Sequence, residues 1–232
     1  MRHRFRALKH RLLAGSAVAS SLHAKELLYQ QLFAWLCERN GVEKRFHPVR
    51  SAANHSLLWL LGRIVEENAV RNVIELGAGQ TTRLLDALCR PRDIPLLTLE
   101  DDAFWAEEIG RGVEHEVRRV PLVPTRLGGP ATRGHDLSSL PDDARFDLVV
   151  VDGPRGTRRD SRAGALDLLD AHLATDFIVV FDDAERLGER DTIDRCRKLL
   201  RARCSPVHEI EVAALKRQVV FASEAFRRVA HY

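Results

Sequence analysis

Ten residues, Val73-Ile74-Glu75-Leu76-Gly77-Ala78-Gly79-Gln80-Thr81-Thr82, constrain this chain more than any other stretch. An apolar strand ends in a glutamate and passes through a Gly-x-Gly turn into a helix expected over Gln80 to Leu88. Glycine is needed where backbone takes positive φ or approaches a ligand, and a helix start offers unpaired N–H groups and the positive end of a dipole. A small molecule bearing a carboxylate or phosphate suits such a turn; a purely structural turn is the alternative. Thr82 stands where a dinucleotide fingerprint has its third glycine, and no Gly-Lys-Ser/Thr follows, so neither that fingerprint nor a P-loop is present.

Acidic residues then end three further apolar runs. Ile94 to Leu99 reads as a short strand ending at Glu100, 23 positions after Gly77. A carboxylate there is placed to accept hydrogen bonds from both ribose hydroxyls of a nucleoside. Asp101 and Asp102 compete for that role, and one of the three caps the helix expected near Ala103. Phe146-Asp147-Leu148-Val149-Val150-Val151 reads as a strand buried on both faces, and it empties into Asp152-Gly153-Pro154. Phe177 to Phe181 repeats the pattern and ends in Asp182-Asp183. Two central strands thus deliver three carboxylates to one sheet edge, where open α/β sheets bind ligands.

In this order the four motifs resemble the class I S-adenosylmethionine-dependent methyltransferases, in particular a small bacterial O-methyltransferase-like group, over roughly Ser56 to Ser223. The resemblance implies an α/β fold: a Rossmann-like seven-stranded sheet with helices on both faces and an antiparallel terminal strand, preceded by an N-terminal helical cap. Residues 1–55 are then a basic arm and cap, and 56–232 the methyltransferase domain. It implies S-adenosyl-L-methionine as cofactor, with Glu75, Gly77, Ala78, Gly79, Thr81, Glu100, Asp101 and Asp152 as its binding residues. Asp152 and Asp182 become the catalytic candidates. Asp152, Asp182 and Asp183 stand where catechol-type and caffeoyl-type relatives hold a divalent cation such as Mg²⁺, although those families have Asp-Asn where this chain has Asp182-Asp183. Without metal, Asp152 is a general base or orders its Gly-Pro turn, and Asp182-Asp183 cap the next helix. Arg155 and Arg159, from the run Arg155, Arg158, Arg159 and Arg162, are candidates for an acceptor bearing carboxylate or phosphate; a solvated basic loop is the alternative.

The implied reaction is O-methylation of a small-molecule or sugar hydroxyl, with nucleic-acid methylation and non-catalytic cofactor binding as the other classes. No Asn/Asp-Pro-Pro-Tyr/Phe tetrad follows the Phe146 strand, and a net charge of +3 over 232 residues does not call for nucleic acid, so no nucleic-acid partner is expected.

Composition fits one α/β domain with an extension, at 45% hydrophobic and 30% charged. Cys37, Cys89, Cys196 and Cys204 form no Cys-x-x-Cys pair, which suits reduced thiols and a cytoplasmic location. Arg2, His3, Arg4, Arg6, Lys9, His10 and Arg11 make a basic arm, read as solvated or as a peripheral contact with anionic membrane; Leu12 to Ala24 is too short and polar to span a bilayer. An oligomer is compatible with the sequence. Helical periodicity covers 22–40 and 56–67, with Pro48 forcing extended or turned chain between them. The cap so formed is expected near the cofactor or acceptor, which draws attention to His47 and His55. An amphipathic helix is expected over Glu189 to Arg203, then a terminal strand pair at 209–214 and 218–222, while 124–143 has no regular pattern.

Overall fold

The β-branched runs become the centre of a seven-stranded sheet in a computed structural model that describes residues 2–43, 45–47, 52–129 and 131–232, with side chains from residue 21 onward. Its strands are β1 (Val73–Leu76), β2 (Leu96–Glu100), β3 (Glu116–Arg119), β6 (Phe146–Val151), β7 (Leu173–Phe181), β8 (Val207–Ala213) and β9 (Arg217–Ser223). Between β3 and β6 a hairpin of β4 (Leu122–Pro124) and β5 (Arg133–His135) stands apart as its own small sheet. The main order is β3-β2-β1-β6-β7-β9-β8, and β9 alone runs opposite in direction to the other six strands.

β6 is buried at every position because helices cover both faces. Alternation along the central strands splits the interior into two cores. Val73, Leu148, Val150, Ile178 and Val180 face one with α2 (His55–Glu67) and α3 (Gln80–Cys89). Ile74, Leu76, Val149, Val151, Val179 and Phe181 face the other with α5 (Ala165–His172) and α6 (Leu187–Arg203). A short helix α4 (Ala103–Gly110) follows β2.

Register fixes the functional edge. Leu76 pairs with Val151, and Val151 with Phe181, so the next residues, Gly77, Asp152 and Asp182, emerge side by side at the carboxyl ends of three parallel strands. Antiparallel β9 starts where β7 ends, with Val219 opposite Phe181, and brings the β8–β9 turn to that same edge.

The seven-stranded sheet with its antiparallel strand is the expected architecture. Three features are not. β3 is an edge strand of Glu116, Val117, Arg118 and Arg119, too polar to announce itself by hydropathy. The 124–143 stretch carries the β4–β5 hairpin. The N-terminal helix α1 spans Arg2–Asn40, and its inward stripe is Glu26, Phe33, Leu36 and Cys37. Leu27, Leu28 and Trp35, apolar residues of the same helical stretch, are 58–66% exposed. A buried glutamate therefore shares the inward stripe with three apolar residues. The basic side chains of residues 2–11 and residues 48–50 of the Pro48 segment lie outside the described residues. No helix among the described residues is long and apolar enough to cross a membrane.

Candidate active site

The glycine turn is built by two backbones in contact. Gly77 has φ +93, and a Cβ there would fall 2.6 Å from Gly153 Cα. The main-chain N–H of Asp152 donates to Leu76 O at 3.0 Å, tying the two loops together. Gly77 is therefore required by the neighbouring loop. Gly79 is different: a Cβ built there meets nothing within 4 Å, so the start of α3 borders open space.

Polar groups around this turn are only partly paired. Glu75 is fully buried; Thr82 and Thr98 hydroxyls donate to its Oε2 at 2.6 and 2.8 Å. Its Oε1 makes no hydrogen bond of normal geometry, and neither does the buried Thr81 hydroxyl, the polar neighbour that acts most strongly on this carboxyl. Burial pushes the Glu75 carboxyl up to about 7, the threonine hydroxyls pull it back, and the Glu100 carboxylate adds a smaller upward push. Glu100 accepts from the Ala78 N–H (2.7 Å) and the Asp102 N–H (2.8 Å), holding the turn to the end of β2. Asp102 caps α4, accepting from the N–H groups of Phe104 and Trp105. Asp101 lies 3.6 Å from buried His135, which draws its carboxyl below the usual range.

The acidic edge is built in the opposite way. Asp152, Asp182 and Asp183 each bring a carboxylate oxygen within 4.8 Å of the others. Arg162, with a side chain only 5% exposed, places Nη2 2.9 Å from Asp183 Oδ2 and 3.4 Å from Asp152 Oδ1. Lys216 places Nζ 3.1 Å from both Asp182 Oδ2 and Asp183 Oδ1. Arg186 reaches Asp183 at 2.9 Å, and Gln218 Nε2 donates to Asp182 Oδ1 at 2.8 Å. Desolvation, then the Asp182 charge, raises Asp152 well above the usual carboxylate range, while Arg162 and Lys216 oppose the shift. The Asp152 side chain keeps 18% of its surface exposed, against 1% for Asp182 and 3% for Asp183. It is the most accessible of the three.

No family model matches the chain and no curated protein does. Solved structures do. An SAH-bound methyltransferase from Podospora anserina aligns with TM-score 0.51 at 13% identity, over 84% of this chain and 87% of its own. An O-methyltransferase from Bacillus cereus in complex with SAH aligns with TM-score 0.51 at 13% identity, over 88% of this chain and all of its own. The chain has the class I methyltransferase fold. At this identity the likeness speaks for architecture, and the chemistry has to come from the residues.

Within this methyltransferase fold the structure brings together Glu75, Gly77, Ala78, Gly79, Thr81 and Glu100 at the glycine turn, with Asp152 adjoining it. Asp101 sits beside Glu100 but turns to His135. The two loop arginines singled out by sequence are exposed: Arg159 is held by Asp191 at 2.6 Å, and Arg155 stands at the start of the loop. Arg162, from the same run, is the one buried among the carboxylates.

Sequence reasoning missed Lys216, Gln218, Asn54 and Glu26. Asn54 caps α2 and donates to Glu26 Oε2 (2.8 Å) and Ser56 Oγ (2.8 Å); Ser56 donates to Gln218 Oε1 (2.9 Å), which leads to Asp182. A buried polar chain thus runs from the N-terminal cap to the acidic edge. A glutamate on the otherwise apolar stripe of α1 and a glutamine heading a β-branched strand were its only sequence signals. The cap also reaches the glycine turn, since the Gln80 amide bonds both main-chain groups of His47. The His55 ring lies beside Glu26, and burial lowers its pKa.

The metal expectation can be tested against the donor set. Three carboxylate oxygens within 4.8 Å suit a hard divalent cation. Both oxygens of Asp182 and of Asp183, and Oδ1 of Asp152, are however engaged by Lys216, Arg162, Arg186 and Gln218, and a cation bound by all three carboxylates would have to displace the Lys216 ammonium. As arranged, these residues do not fit a divalent ion.

Proposed function

We propose that the protein is an S-adenosylmethionine-dependent methyltransferase acting on the oxygen of a small-molecule or sugar hydroxyl. The observation that carries this reading is the contact between Gly77 and Gly153. It sets the Asp152 carboxylate, raised in pKa and partly exposed, directly beside a glycine turn with open space at Gly79. Buried Glu75 Oε1 and Thr81 Oγ1, neither in a hydrogen bond of normal geometry, and the helix start at Gln80 suit the amino-acid end of the cofactor. Glu100 has used one site on each oxygen, and its remaining lone pairs suit ribose hydroxyls.

When bound, the cofactor supplies a methyl group on a sulfonium, already activated for transfer. The protein's task is then alignment and proton removal. With the cofactor bound, Asp152 would take the proton from the acceptor hydroxyl as that oxygen is methylated. A carboxyl held above its usual range is the better base toward a weakly acidic hydroxyl. Asp182, buried against Lys216 and Gln218, raises Asp152 by its charge, while Arg162 is the side chain that pairs with Asp152. The exposed guanidinium of Arg155 is open to an acidic group on the acceptor, and that of Arg159 to the extent that Asp191 releases it.

The test is transfer of labelled methyl from S-adenosylmethionine to a panel of phenols, sugars and sugar phosphates. The expected result is label on a hydroxyl oxygen, lost in Asp152→Asn. Label on nitrogen or carbon, or undiminished transfer by that variant, would overturn the assignment.

A further inference from the structure

The carboxylates of Asp152, Asp182, Asp183 and Glu189 surround three cations, Arg162, Lys216 and Arg186. Three carboxylates gathered at one sheet edge repel one another unless positive charge sits among them. Here that charge is part of the chain. Lys216 comes from the β8–β9 turn, which is fixed to the loop after β7: the Ala184 N–H donates to Arg217 O (2.8 Å), and the Arg217 N–H to Glu185 Oε2 (2.9 Å). Its side chain is 12% exposed and bridges the two buried aspartates at equal 3.1 Å distances.

We propose that the Lys216 ammonium takes the place of a divalent cation at the carboxylate edge, so that the acceptor site works without metal. This rests on the methyl-transfer reading for the word acceptor, but its central content is electrostatic. With Lys216 present, four negative and three positive groups nearly balance, and a divalent ion would leave the cluster with excess positive charge. Without Lys216 the deficit is two charges, and the same oxygens become a site for a divalent ion. Lys216 is a positioning residue. It holds Asp182 and Asp183, and Asp183 shares the Arg162 guanidinium with Asp152.

The test is calorimetric titration of Mn²⁺ into the full chain and into Lys216→Met, which keeps the aliphatic stem. The wild type should show no saturable binding at millimolar metal, and the variant should bind one Mn²⁺ at least roughly tenfold more tightly. Lys216→Arg, which keeps the charge, should behave as wild type. Saturable Mn²⁺ binding by the wild type overturns the proposal even if Lys216→Met does not fold, and so does equal binding by wild type and Lys216→Met. Metal binding is read without turnover, so a failure to find methyl transfer would count against the proposed function and leave this contrast intact. Where turnover is found, wild-type activity should survive excess chelator, and its abolition with restoration by Mn²⁺ would overturn the proposal.

Discussion

The two halves of the sheet's carboxyl edge are built on opposite principles. At the glycine turn buried polar atoms are left without hydrogen bonds of normal geometry, Gly79 borders open space, and a carboxyl is raised to about 7 by burial among apolar and hydroxyl groups. A few ångströms of backbone away, every aspartate of the acidic edge is paired with a lysine or arginine of the chain itself. The difference lies in charge: Asp183 Oδ1 and Glu189 Oε2 of the acidic edge also lack a hydrogen bond of normal geometry, but there the chain supplies its own cations, whereas at the glycine turn it supplies none among the described residues. The first is suited to capture, the second to holding one carboxylate ready for a proton.

The strongest break of this comparison is at Asp152. Asp152→Asn keeps the shape of the acidic edge but removes the base, and methyl transfer should fall by roughly 10²–10⁴-fold in kcat. Cofactor affinity measured by calorimetry should stay close to wild type. Loss of affinity with unchanged kcat would place Asp152 in the capturing half.

The charge-paired half is also the one whose loss should cost most in stability. Arg162→Met leaves Asp183 and Asp152 without their buried guanidinium, and breaking such a pair costs about 3–5 kcal/mol. Urea unfolding checks this. A change within about 0.5 kcal/mol, the range of ordinary surface substitutions, would show that the buried charges are not coupled as described.

Glu75 gives the comparison a pH signature. In the folded chain its carboxyl keeps a proton up to about pH 7, while in the unfolded chain it loses the proton near 4.5. The folded state binds more protons between those values, so this contribution to stability is full below about pH 4.5 and is lost as pH rises through 7. The loss amounts to roughly 3 kcal/mol, at about 1.4 kcal/mol for each tenfold change. Glu75→Gln cannot titrate, and its stability should fall less than that of wild type over that range. Parallel stability curves would mean that Glu75 is ionised in the fold.

A smaller effect is expected at the border of the two halves. Glu100→Ala should weaken the cofactor by about 1–3 kcal/mol, partly because the N–H groups of Ala78 and Asp102 lose their acceptor and the turn loosens. Unchanged affinity would remove Glu100 from the ribose role and leave it as a brace of the turn.

The halves also differ in how far the sequence shows them. The glycine turn, its strand and its helix lie within one short stretch, and Glu100 ends the adjacent strand, so local pattern was enough. The acidic edge draws on Asp152, Arg162, Asp182, Asp183, Lys216 and Gln218, and what joins them is the antiparallel insertion of β9 between β7 and β8. The carboxylates were visible because each ends an apolar run. Their cations were not, because Lys216 reads as a turn lysine and Arg162 as one of four loop arginines. Glu26 was hidden for a related reason: a helix's inward face is ordinarily inferred from its leucines, whereas here Leu27 and Leu28 face solvent and a glutamate points in. The polar edge strand β3 carried no hydropathy signal at all.

Gly79 tests the account's central claim most directly. Its φ of −176 is extended backbone open to any residue, and nothing lies within 4 Å of the Cβ position, so Gly79→Leu should fold with an unchanged melting temperature. The leucine would fill the space in which the cofactor is expected. Calorimetric titration of S-adenosylmethionine should show one-to-one binding to the wild type and none to Gly79→Leu. Equal binding by both chains, or no binding by the wild type, would contradict a cofactor site at this turn.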